Sequence, residues 1–145
     1  MQNKILRPSR LKPSNEALGT VVAYLAREAP FSAYRSGRLV TAVKYQLSSR
    51  NHVCLLSDDV LLAYAGWLPI TQVVGEQWMR DEATLAPVET EQADAVALTV
   101  VSVTSKEYLI PLIRACRKLN PGLRVFFKRE TGAAGRTRKA NVLNR

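Results

Sequence analysis

Near residue 50 the spacing of apolar residues changes from helical to continuous, and this switch restricts the fold more than any bulk figure. Upstream, Leu18, Val21, Val22 and Leu25 recur at helical spacing behind Ser14, so a helix is expected from there to about Glu28. Pro30 stops it. Leu39, Val43 and Leu47 mark the inner face of a second amphipathic helix over 36–48. Downstream, His52-Val-Cys-Leu-Leu56 is expected to form a strand and Ser57-Asp58-Asp59 a turn. Val60 to Leu68 is then an antiparallel return strand, closed by Pro69.

The second half repeats the alternation of types. Residues 70–86 are expected to hold a third helix, with a weak point at Gly75. Residues 76–94 carry Glu76, Asp81, Glu82, Glu89, Glu91 and Asp94 against Arg80 alone, and read as a solvated face or loop. Ala95 to Val103 has the Val and Thr content of a strand buried on both faces. Ser105 is placed to cap a helix carrying Tyr108, Leu109, Leu112, Ile113 and Cys116, with a kink or late start at Pro111. Asn120-Pro121-Gly122 is a turn, because proline fixes φ and glycine accepts φ > 0. Leu123 to Lys128 is a fourth strand, and Glu130 to Arg145 a loop plus an edge element. Such an order implies one α/β (α+β) domain over 14–130, a mixed sheet flanked by helices. It lies between a basic arm, 1–13, and a basic Gly/Arg-rich tail, 131–145.

Charge is concentrated at those ends. Residues 1–13 hold Lys4, Arg7, Arg10 and Lys12 with no acid, a net +4. Residues 124–145 hold seven cations against Glu130, a net +6, which leaves 14–123 at 10 − 11 = −1 of the total +9. Basic flanks on a near-neutral body suit a polyanionic partner, such as an acidic protein, a nucleic acid or an anionic membrane surface. At 145 residues and 47% hydrophobic content the chain can bury one core, which argues against wholesale disorder. No apolar run approaches the roughly 20 residues of a membrane span. Residues 1–13 lack the apolar stretch of a secretory leader, so the expected compartment is the cytoplasm. Cys54 and Cys116 fall in apolar segments and are expected to be buried thiols rather than a disulfide. One histidine, without CxxC or HxxxH spacing, offers no zinc site, and no tightly bound cofactor is expected.

Several segments together resemble the toxin-activating lysine-acyltransferases that fatty-acylate RTX protoxins. They are Val53-Cys-Leu-Leu-Ser-Asp-Asp59 with Ala63-Tyr64 and Trp67, then Ile113-Arg-Ala-Cys-Arg-Lys-Leu-Asn-Pro121 and Leu123-Arg-Val125, and also Pro30-Phe31 ahead of the second helix. The resemblance spans roughly residues 25–140 and rests on the order of these segments. It implies a GNAT-like fold and acyl transfer from acyl carrier protein to a protein lysine. The family's catalytic histidine and aspartate would fall in Phe31-Ser32-Ala33 and Leu98-Thr99-Val100, which contain neither. Ser32 and Thr99 can hydrogen-bond a substrate but cannot serve as bases near neutral pH. His52, the sole histidine, matches neither position and reads as a strand-end residue without a catalytic task. Catalytic residues are therefore not assigned, and whether the chain is an enzyme stays open.

Arg129-Glu-Thr-Gly-Ala-Ala-Gly135 fits the loose Arg-x-x-Gly-x-Gly/Ala pattern of a pyrophosphate loop, which needs a strand before it and a helix after it. A flexible Gly/Arg segment is the competing reading. Lys128, Arg129, Arg136, Arg138 and Lys139 are the candidate residues for an acidic partner or a phosphate. Two functions follow. One is an acyltransferase-like protein fed by acyl carrier protein, which is strongly acidic. The other is a non-catalytic binding protein on the same scaffold, holding nucleic acid or an acidic protein, with a homodimer also open.

Overall fold

The computed structural model describes residues 6–131 and 137–143, with side chains as far as Lys128. Six strands, β1 (Arg7–Ser9), β2 (His52–Ser57), β3 (Val60–Ile70), β4 (Ala95–Val103), β5 (Arg124–Thr131) and β6 (Thr137–Leu143), form one sheet in chain order. Among the described residues four α-helices accompany them: α1 (Asn15–Leu25), α2 (Ser36–Ser49), α3 (Gln72–Met79) and α4 (Leu109–Leu119). β1–β2, β2–β3 and β5–β6 pair antiparallel, whereas β4 and β5 pair parallel. Bonds from Asp94 N–H to Ile70 O and from Thr104 N–H to Leu62 O set the end of β3 beside the start of β4, so that pair is antiparallel too. The expected mixed sheet with flanking helices is present.

Two compact units divide the chain. The first comprises Met1–Gly66 with Val100–Cys116, the second Trp67–Thr99 with Arg117–Arg145. In the first, Val21, Leu25, Phe31, Leu39, Val43, Leu47, Cys54, Tyr64 and Val100 form a buried cluster. Each of the three apolar positions expected on α2's inner face belongs to it. Ser14 Oγ accepts from Ala17 N–H at 3.0 Å, the cap expected for α1. In the second unit, Ile70, Ala95, Ala97 and Phe126 are the buried cluster, with Trp78, Met79 and Leu85 against it.

The β2–β3 turn places both Asp58 and Asp59 at positive φ (49° and 65°), the geometry of a two-residue hairpin whose twist matches its strands. Several expectations change in detail. Arg7–Ser9, read as part of a loose arm, is an edge strand, with Arg7 opposite Leu56 and Ser9 opposite Cys54. α1 stops at Leu25 and α3 covers eight residues rather than 70–86. Thr71 starts α3 by accepting from Val74 N–H, and Asp81 at φ 59° follows its end. Ser105 makes no side-chain cap, because a 3-10 turn over Lys106–Tyr108 precedes α4. Pro111 then occupies α4's first turn, where its missing N–H costs no helical bond. β4 is buried throughout Ala95–Leu98 and alternates from Thr99 onward, so the burial expected on both faces holds for its first half.

Candidate functional site

Parallel strands need a crossover, and α4 supplies it between β4 and β5. The β4–β5 ladder runs from Ala95 opposite Arg124 to Leu98 opposite Phe127. In open α/β sheets, ligands gather beyond the carboxyl ends of such strands. Here that end is Thr104-Ser105-Lys106-Glu107-Tyr108, which contains no glycine.

Within the first unit this turn is held by one carbonyl. Leu62 O accepts from Thr104 N–H at 2.9 Å and from Thr104 Oγ1 at 2.9 Å. The Tyr24 hydroxyl donates to the same oxygen at a longer 3.4 Å and accepts from Ser102 Oγ at 3.3 Å. Burial pushes the Tyr24 phenol above its ordinary pKa; the bond from Ser102 opposes this, and the charge of Glu28 adds to it. A phenol so placed stays protonated. It can donate a proton but cannot take one near neutrality. Tyr24 was not among the sequence candidates, although it follows Val21 by three residues on α1's inner face. A tyrosine in an apolar stripe signals a buried ring whose hydroxyl needs a partner.

The sole histidine is committed elsewhere. His52 is fully buried, its Nδ1 donates to Gln46 O at 3.0 Å and its Nε2 accepts from Leu11 N–H at 2.9 Å. Tyr64 Oη donates to Gln46 Oε1 at 2.7 Å, and the Tyr64 ring stacks on the imidazole. These bonds use both ring nitrogens. Cys54 and Cys116 are buried and form no disulfide, and burial pushes both thiols up to about 12, so neither is a nucleophile at neutral pH.

Ser32 lies exposed on a 3-10 turn in the first unit, its N–H bonded to Glu28 O. Thr99 is half-buried on β4 in the second. Among the cations expected to face an acidic partner, Lys128 has a side chain only 6% exposed. Its ammonium meets Asp81 and lies 5.1 Å from the centre of the Trp78 ring. Arg124 similarly bonds Glu76 at 3.1 Å and covers Phe126. Two carboxylates of the acidic stretch, read as solvated face or loop, therefore pair with cations of β5. Arg129 pairs in register with Lys139, and Glu130 with Arg138. Arg136 and most of the glycine-rich segment lie outside the described residues. Strand β6 begins at Thr137, where a pyrophosphate loop over Arg129–Gly135 would need a helix. Among the described residues, no helix is long and apolar enough to cross a membrane.

No family model and no curated protein sequence matches this chain. Solved structures do. The GNAT-like decarboxylase GphF in complex with isobutyryl-CoA superposes with a TM-score of 0.57 at 17% identity, over 88% of this chain and 67% of that one. The loading GNATL domain of CurA from Lyngbya majuscula gives 0.57 at 14% identity, over 86% and 64%. A GNAT family acetyltransferase from Brucella melitensis in complex with acetyl-CoA gives 0.54 at 15%, over 92% and 82%. This chain has a GNAT-like fold. It spans about two thirds of the first two of these structures. Identity this low establishes the GNAT-like fold and leaves substrate and chemistry to the residues.

Proposed function

We propose that this chain binds a phosphopantetheine thioester and passes its acyl group to an amine, with acyl carrier protein as donor and a protein lysine as acceptor. The observation that carries the reading is the GNAT-like fold itself, because two similar structures hold acyl-CoA in the same scaffold. The donor and acceptor rest on the resemblance to the toxin-activating acyltransferases, and basic flanks suit an acidic carrier. In the transfer, the amine nitrogen attacks the thioester carbonyl, a C–N bond forms and the C–S bond breaks. The amine loses a proton and the sulfur gains one.

His52 has both nitrogens engaged, and Ser32 and Thr99 cannot take the amine proton. We assign water as its acceptor. The protonated Tyr24 phenol is the group we assign to deliver a proton to the departing sulfur. Absence of imidazole and carboxylate from 31–33 and 98–100 favours one alternative, a protein that binds the thioester or an acidic partner without turning it over.

The test is incubation of the full chain with acyl-loaded carrier protein, or acyl-CoA, plus a lysine peptide, followed by intact-mass measurement. Peptide gaining the acyl mass supports transfer. Saturable binding of the donor with no acyl loss selects the binding reading. Neither transfer nor binding rejects both.

A further inference from the structure

We propose that His52 is a proton-operated latch for the N-terminal arm: the neutral ring holds residues 6–12 against the sheet edge, and a second ring proton releases them. This inference is independent of any acyl chemistry.

The arm's attachment is slight. β1 is three residues long, and Pro8 at its centre has no N–H to give. Beyond the ladder, Cys54 Sγ donates to Ser9 O at 3.3 Å and Leu11 N–H donates to His52 Nε2 at 2.9 Å. The Leu11 side chain rests against the first core cluster. The bond from Leu11 thus secures the arm where it leaves β2.

The ring's tautomer is fixed by its other nitrogen. Nδ1 faces Gln46 O, an acceptor, and so carries the hydrogen; Nε2 keeps a lone pair for Leu11. Protonation at Nε2 would set N–H against N–H and abolish the bond. The surroundings resist that proton while the arm is docked. The ring is fully buried and stacks on Tyr64, whose centroid is 6.0 Å away. Arg10 on the arm and Arg50 at the end of α2 are the charged groups acting on it, both cations. Cys54 and Tyr64 are held neutral by burial. Desolvation lowers the imidazole's pKa most; the Gln46 carbonyl raises it, and Arg50 and Arg10 lower it further.

The sign follows from linkage. An undocked, hydrated ring binds a proton near pH 6.5, whereas the docked ring does so at lower pH. Docking is fully favoured above about pH 6.5 and weakens as pH falls below it. Release takes up one proton and hydrates the ring and the Leu11 N–H together. It also frees the edge of β2 and detaches Arg7, Arg10 and Lys12 from the sheet.

Hydrogen exchange between pH 7.5 and 5.0 tests this, expressed as protection factors, with α2 amides as the internal reference. Protection over residues 6–12 should drop by up to about tenfold per pH unit below 6.5 while α2 keeps its protection. His52→Gln, which retains an acceptor but cannot titrate, should flatten that slope. Arm protection that is constant with pH, or lost in step with α2, overturns the latch, as does an unchanged slope in the variant. Should His52→Gln fail to fold, ring ¹⁵N shifts of the wild-type protein decide. A ring titration sharing its midpoint with arm release supports the latch, and separate midpoints overturn it.

Discussion

Gln46 is the residue on which the first unit's polar interior turns. Its carbonyl accepts from His52 Nδ1–H and its side-chain oxygen accepts from the Tyr64 hydroxyl, all three side chains being buried. Tyr64→Phe deletes the donor and leaves that oxygen dry, which should cost about 1–3 kcal/mol in urea unfolding. Gly66 lies against the same side chain: a Cβ there would fall 2.2 Å from Gln46 Cδ. Gly66→Ala should therefore displace the amide and destabilise by about 1–3 kcal/mol, measured the same way. Neither contact was legible in the sequence, where a glutamine on α2 and a glycine in a strand lie twenty residues apart without any shared pattern. His52 was legible as a residue at the start of a strand, and it does open β2. The chemistry of the proposed transfer also belongs at this scale. With no imidazole free, the acceptor amine must reach the thioester already deprotonated. Transfer rate should rise about tenfold per pH unit from pH 7 to 9, following a lysine of ordinary pKa. A plateau near neutrality would reveal a base in the site and sink the assignment of water as proton acceptor.

Helix α3 shows how an element's role can be hidden by its composition. Gly75 reads as a weak point in a helix, yet it is where α3 approaches β5: an added Cβ would lie 2.4 Å from the Phe126 ring. The glycine lets backbone and ring come into contact. Gly75→Ala should push α3 away from β5 and lower stability by about 1–3 kcal/mol despite alanine's better helix propensity. Thermal melting gives the sign: a rise would show that the ring simply moves aside. Glu76 on α3 and Asp81 just beyond its end reach Arg124 and Lys128. Element order was legible because period and turn residues are local, as with Asn120-Pro121-Gly122 and the Asp58-Asp59 turn. α3's short length was not, since the Thr71 side-chain cap and the positive φ of Asp81 bound it, and hydrophobic spacing encodes neither.

Across the whole molecule, the pairing of charges matters more than their total. The first unit sums to 11 − 5 = +6 and the second to 10 − 7 = +3, so the excess is not confined to the C-terminal end. In the second unit, two cations from β5 face carboxylates of the acidic stretch, and such a pair presents a dipole rather than a free charge. At physiological salt the Debye length is about 8 Å, so what an acidic partner meets is local. These facts separate two groups of cations that the sequence placed together. Replacing Lys128→Met with Asp81→Asn keeps the net charge at +9 and removes one internal pair. Association with an acidic carrier protein should keep its rate and salt dependence, while the melting temperature falls because Trp78 loses its covering ammonium. Replacing Arg138→Gln with Lys139→Gln removes two charges from β6. This variant should associate several-fold more slowly at 50 mM salt and converge on the wild type at 300 mM. Stopped-flow association across that salt range measures both. Equal slowing by the two double variants would mean that Lys128 steers the partner after all, and equal indifference would move the docking face to the cations of the first unit.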